Sequence, residues 1–342
     1  MMKKIIHLVA VLICFVCLTS CENQNEKLTE ITVTKQEEQT TVKYETEQST
    51  SNYEEGDITE TREAKIFAEI NGFVSAGIIF DNNKSMYVAK NDELVKVTPD
   101  GTVSTFCSFA DITDTKNYYF NSPLIWDMTF DSDGNILAAA QDRIIRITPE
   151  GKAETIIRED FNGFLGASGI ECDSNGNIYI TNGSKIEKYN SELEKSTFID
   201  GEKDGYRGFF SLEFDPDGKN LYISDFFIKS LVKYEVDSNG NAVDVPIQIV
   251  RNPIERSGDF GAPLNITFSE NGIMYVSIDG MGKILKMDTD GTIGYIDLGE
   301  LHVSNHIIAF GGNGFNEESL YITSYYGKNI YECNVGEKGR QK

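Results

Sequence analysis

The sequence predicts an all-β fold, a six-bladed β-propeller, and three observations carry that prediction. A unit of four short apolar strands recurs six times from about residue 64. The residue before its first turn is Phe80, Phe130, Cys172, Phe214, Phe268 and Phe310, at intervals of 50, 42, 42, 54 and 42 residues. Such spacing is the period of a propeller blade. Finally, turn chemistry, aromatic position and a charge in the third strand agree in register across the copies. The chain has 342 residues, 40% of them hydrophobic, enough for one large domain.

In chain order, Lys3 and Lys4 precede an apolar run from Ile5 to Cys17, broken only by His7. The run is shorter than the ~20 residues of a membrane-spanning helix and reads as a signal peptide over residues 1–20. Leu18-Thr19-Ser20-Cys21 resembles the bacterial lipobox, which implies lipidation at Cys21 and cleavage before it. Several acyl chains at about 0.8 kcal/mol per buried CH₂ would anchor the protein durably. Residues 21–62 read as an acidic tether. Residues 22–60 hold eleven Asp/Glu against three Lys and cannot bury enough apolar surface to order themselves.

The propeller is expected over residues 63–337. Its first turns include Asp131-Ser132-Asp133-Gly134-Asn135, Asp173-Ser174-Asn175-Gly176-Asn177 and Asp215-Pro216-Asp217-Gly218-Lys219. Asp-Gly and Asn-Gly supply the positive φ that tight turns need. Second strands such as Ile178-Tyr179-Ile180-Thr181 and Leu221-Tyr222-Ile223-Ser224 follow the turns. Third strands such as Leu94-Val95-Lys96-Val97 and Ile144-Ile145-Arg146-Ile147 carry one charge near their end. The sixth copy lacks a fourth strand, whereas Ala64 to Ile70 is a spare strand before the first copy. The ring is therefore expected to close by an N-terminal strand completing the last blade, which leaves no open edge. Residues 338–342 read as a polar tail.

Phe214 to Asp225 resembles a blade of the senescence-marker-protein/gluconolactonase/luciferin-regenerating-enzyme-like family. Ala309-Phe310-Gly311-Gly312 followed by Leu320-Tyr321-Ile322-Thr323 is similar to that family's last blade. The resemblance implies a divalent metal in the central channel, held by a Glu, two Asn and an Asp, and lactone hydrolysis with the Asp as general base. The matching positions here are Ala76, Ser168, Phe210 and Leu264, which offer one hydroxyl. Calcium takes six or more oxygens, so the resemblance supports the fold and not the family's chemistry. The WD-repeat class fits poorly, because the one Trp-Asp pair, Trp126-Asp127, begins an inner strand.

The remaining site candidates come from position in the repeat. Glu171 and Glu213 occupy equivalent places in adjacent blades, where they could share a proton or cation or pair with a neighbouring base. The loops on one face are rich in rings interspersed with polar groups, and Trp126, Asp127, Phe210, Asp225, Asn265 and Tyr325 are taken as ligand-binding candidates. Glu171, Glu213 and Asp127 are the acids a catalytic reading would use. His302 and His306, four apart where the chain enters a strand, are too far separated to share zinc readily. Cys107, Cys172 and Cys333 read as buried small apolar residues and not as a bridge.

The expected protein is a lipid-anchored, extracytoplasmic propeller of a bacterial cell envelope, monomeric and without cofactor. It would bind a small molecule, a carbohydrate or an envelope protein, and it would touch the membrane only through its lipid. The alternative is a metal-dependent or acid/base hydrolase of lactones or small esters, and calcium or zinc would enter only under it. A net charge of −23 excludes nucleic-acid binding through a basic face.

Overall fold

The computed structural model describes residues 59–72, 74–90, 93–109, 124–159, 161, 166–243, 245–251, 261–280, 282–299, 301, 306–324 and 327–340. Cys21 and Tyr325 lie outside them. Two strands precede the first repeat, β1 (Thr59–Thr61) and β2 (Lys65–Glu69). Blade 1 is β3 (Val74–Phe80), β4 (Met86–Lys90), β5 (Glu93–Val97) and β6 (Val103–Ser108). Blade 2 is β7 (Asp127–Phe130), β8 (Ile136–Ala140), β9 (Arg143–Ile147) and β10 (Ala153–Arg158). Blade 3 is β11 (Ile170–Cys172), β12 (Ile178–Asn182), β13 (Lys185–Tyr189) and β14 (Lys195–Asp200). Blade 4 is β15 (Phe209–Phe214), β16 (Asn220–Asp225), β17 (Ser230–Glu235) and β18 (Ile247–Arg251). Blade 5 is β19 (Pro263–Phe268), β20 (Met274–Ile278), β21 (Lys283–Met287) and β22 (Ile293–Asp297). Blade 6 is β23 (His306–Phe310), β24 (Ser319–Ser324) and β25 (Asn329–Asn334).

The predicted closure is present. β2 lies antiparallel against β25, with Lys65 opposite Glu332 and Ile66 opposite Tyr331. The six inner strands touch one another in order, and β23 meets β3 to complete the ring. The sequence reading did not foresee β1, which adds parallel to the outer edge of blade 5, Thr59 opposite Tyr295. Pairing an exposed edge removes unsatisfied backbone groups.

The core lies between the blades. In β8, Leu137 and Ala139 pack toward blade 3 while Ile136 and Ala138 pack toward blade 1. Successive side chains on a strand point to opposite faces, so a blade flanked on both sides is apolar throughout. This explains why the second strands read as continuous apolar runs instead of alternating ones.

The first turns of blades 1 to 4 are each tied by their own aspartate, whereas Ser269 Oγ does this in blade 5. The Asp131 carboxylate accepts from the backbone N–H of Asp133 at 3.0 Å and of Asn135 at 2.8 Å. Asp173 does the same for Asn175 and Asn177, both at 2.9 Å. Gly134, Gly176 and Gly218 take positive φ in these turns, and in blade 1 Lys84 occupies the same place at φ 61°. The predicted turn chemistry thus tolerates a non-glycine residue where the aspartate holds the loop.

Cys107, Cys172 and Cys333 are free thiols; Cys107 and Cys333 are buried and Cys172 is half-buried. Burial pushes the Cys107 and Cys333 thiols up to about 11. At pH 8 only about one in a thousand would be thiolate, the reactive form. A thiol reagent at pH 8 is expected to leave both unlabelled in the folded protein and to reach them after unfolding. Reactivity should rise only as pH climbs toward 11. Peptide mapping that finds either one modified at the rate of free cysteine in folded protein would contradict the packing described.

Candidate functional site

The inner strands line the axis, with their N-terminal ends on the face of the blade-joining loops and their C-terminal ends at the first turns. At the loop end, equivalent positions place Trp126, Ser168, Phe210, Leu264 and His306, all buried. The rings of Trp126 and Phe210 meet edge to face with centroids 5.5 Å apart, and Phe226 stands 6.4 Å from Phe210. Leu124, Leu264 and Ile307 belong with them to one larger apolar cluster that extends into blade 1. Ser168 Oγ is already engaged: it donates to Phe210 O at 2.9 Å and lies 3.1 Å from Thr181 Oγ1.

These residues do not fit a divalent cation. Of the positions the resemblance points to, Ser168, Phe210 and Leu264 supply a single oxygen, which is bonded to a neighbouring strand. A calcium site needs several hard oxygen donors converging on one point. Among the described residues no three His, Cys, Asp or Glu side chains are grouped to hold a metal.

Three predicted ligand-binding residues accept hydrogen bonds from backbone N–H groups. Asp127 accepts from Ile170 N–H of blade 3 at 3.2 Å and from Met128 N–H at 2.9 Å. Asn265 accepts from Ile308 N–H of blade 6 at 3.0 Å. Asp225, with no exposed surface, accepts from four N–H groups: Arg207 at 2.8 Å, Gly208 at 3.1 Å, Phe227 at 2.9 Å and Ile228 at 3.0 Å. Its two oxygens join the loop entering blade 4 to the loop between that blade's second and third strands. Buried carboxylates are stable when hydrogen bonds replace water in this way.

Glu171 and Glu213 lie at the other end of the inner strands, each 4% exposed. Arg340 reaches both: its Nη2 is 2.5 Å from Glu213 Oε1 and 3.9 Å from Glu171 Oε1. Sequence reasoning missed this arginine, since a lone Arg in a polar tail carries no local signal of where it points. Among the loop rings, Tyr206 and Phe209 are buried and Phe227 is 50% exposed. His306 opens β23, fully buried, and His302 is outside the described residues.

Two cavities stand out. One of about 1170 Å³ opens on the turn face and is lined by the first turns of blades 1 to 4, with Thr129, Glu171 and Arg340. The other, about 560 Å³, lies on the loop face between blades 3 and 4. Asn182, Gly183, Ser184 and Lys185 form one wall of it, and Glu202, Gly205, Tyr206 and Arg207 the other. Lys185 pairs with Asp200 at 2.9 Å, which raises the lysine and holds the aspartate below its usual range. Arg207 is exposed at the rim, and the Phe227 ring lies so close over Gly208 that a Cβ there would sit 2.2 Å from it. The volume suits a small organic ligand.

Comparison with known proteins agrees with this architecture. Among solved structures, a calcium-binding protein, regucalcin, from Agrobacterium tumefaciens superposes with a TM-score of 0.60 at 14% identity, over 83% of this chain and 97% of that one. A gluconolactonase from Xanthomonas campestris gives 0.58 at 13% identity, over 80% and 86%. An auxiliary nutrient binding protein from Bacteroides thetaiotaomicron gives 0.61 at 13% identity, over 79% and 70%. At these identities the likeness is one of fold. No curated protein sequence matches the chain. The family model described as the SMP-30/Gluconolactonase/LRE-like region matches residues 128–326, more than half of the chain, and the protein belongs to that family.

Proposed function

We propose that this protein is a binding propeller, held outside a bacterial cell by a lipid on Cys21, whose ligand site is the loop-face groove between blades 3 and 4. One observation carries the reading: buried Phe210 and Leu264 stand where a metal-dependent relative would need oxygen donors. The groove supports it, because a cleft of about 560 Å³ with Lys185, Arg207 and Tyr206 around it can grip a polar organic molecule such as a carbohydrate. The half-exposed Phe227 ring beside it offers a stacking surface. The nutrient-binding relative from Bacteroides thetaiotaomicron lends the same reading an analogy of fold. The hydrolase alternative has less to rest on, since Glu213 is paired with Arg340 and Asp127 with backbone N–H groups.

The test joins metal content to binding. Purified protein is expected to carry no stoichiometric calcium or zinc and to show no chelator-sensitive lactone turnover. Screening glycans and small organic acids by thermal shift should find a ligand whose affinity falls roughly tenfold in Arg207→Ala, about 1.4 kcal/mol. Labelled fatty acid should be incorporated at Cys21 and be absent from Cys21→Ser. Stoichiometric metal together with chelation-abolished lactone turnover would overturn the binding reading.

A further inference from the structure

We propose that the turn end of the channel is a guanidinium site filled by the chain's own Arg340, and that this side-chain cation, not a metal, locks the axis of the ring. The site is at the opposite end from the groove and goes beyond the binding reading. Its hydrogen-bond acceptors come from blade 4, and blade 3 adds a second carboxylate. Arg340 Nη1 donates to Phe214 O at 2.9 Å and to Asp215 O at 3.1 Å, while Nη2 donates to Glu213 Oε1 at 2.5 Å. Glu171 of the adjacent blade stands 3.9 Å away. Two acids, each 4% exposed, face one another's neighbourhood here. Carboxylates this deeply buried need hydrogen-bond donors in place of water, and Arg340 supplies them to Glu213. A planar fork spanning two carbonyls and a carboxylate is what a guanidinium supplies and an ammonium does not.

The approach of the arginine is prepared over several residues. Gly339 forms a bridge with Ser269, Glu270 N–H donates to Lys338 O at 2.8 Å, and Arg340 N–H donates to Phe268 O at 3.0 Å. Asn271 holds Glu337 at 2.9 Å, and Lys338 pairs with Glu317 at 3.2 Å. The segment thus crosses from blade 6 under blade 5 before Arg340 turns to blades 4 and 3. Glycine is needed at 339, because a Cβ there would lie 2.1 Å from that of Phe310. The guanidinium end remains open to the 1170 Å³ cavity, and the Arg340 side chain is 19% exposed. A small solute could therefore enter if the side chain were removed.

Full-length Arg340→Ala is expected to melt roughly 5–10 °C below the native chain, the loss of a half-buried cation from two buried acids. Millimolar methylguanidinium chloride should recover at least half of that fall in a saturable manner. It should do nothing for the native chain, and nothing for Arg340→Ala combined with Glu213→Gln. Methylammonium chloride at equal ionic strength should not substitute. An unchanged melting point, or equal recovery by methylammonium, would overturn the proposal. Should Arg340→Ala not fold, Arg340→Lys decides: it is expected to melt between the two, and melting level with the native chain sinks the idea. In Glu213→Gln the Arg340 amide should exchange its hydrogen at least tenfold faster; unchanged protection counts equally against it.

Discussion

Asp225→Ala is expected to lower the stability of the propeller by roughly 3–5 kcal/mol, a large part of the 5–15 kcal/mol typical of a domain. The carboxylate is fully buried and is the acceptor for four backbone N–H groups on two loops. Each buried donor left without an acceptor costs about 1–3 kcal/mol, and entry of water or a loop shift recovers part of the total. Asp225→Asn should also destabilise. Oδ1 serves Phe227 and Ile228 while Oδ2 serves Arg207 and Gly208, and an amide presents an NH₂ to one of these pairs. Urea unfolding measures both. The Arg207 backbone is set by this carboxylate, so any ligand found in the groove should bind Asp225→Asn more weakly as well. A stability within 1 kcal/mol of native for the alanine variant would show that water or other groups satisfy the donors, contrary to this account.

Trp126→Ala should cost about 3–5 kcal/mol, the range for deleting a large buried aromatic side chain. Trp126 is 3% exposed and packs on Phe210 within the apolar cluster at the loop end. Trp126→Phe should cost less, because it keeps a ring against Phe210. As the only tryptophan in the chain, Trp126 reports its own burial: native emission should be blue-shifted and move red on unfolding. The space vacated in Trp126→Ala is lined by Phe210 and Leu264, so calcium should still not stabilise the variant. A calcium-dependent rise in its melting point would reveal donors that this packing does not contain.

The blades, their order and the closing strand were legible because each depends on short-range signals. Gly134, Gly176 and Gly218 mark positive φ within a few residues of the aspartates they follow. The apolar runs of the second strands mark burial on both faces. The spare strand near residue 65 and the missing one after Cys333 are a matter of counting. The site was only partly legible. Phe210 and Leu264 are apolar by type, and the structure buries both at the loop end of the inner strands. Asp127, Asp225 and Asn265 were singled out as polar groups on the loop face. Their type does not reveal that each faces a backbone N–H, 43 residues away for Asp127 and again for Asn265.

The sequence by itself determined the repeat, the turn chemistry and the ring. Periodicity and turn propensity act between near neighbours and survive in one dimension. Only the tertiary structure decided that Arg340 meets Glu213 across 127 positions, that β1 covers blade 5, and that Asp225 binds two loops together. Such partners are chosen by which surfaces ring closure brings within hydrogen-bonding distance, and a polar residue's identity is the same whether it meets solvent, a ligand or a backbone amide.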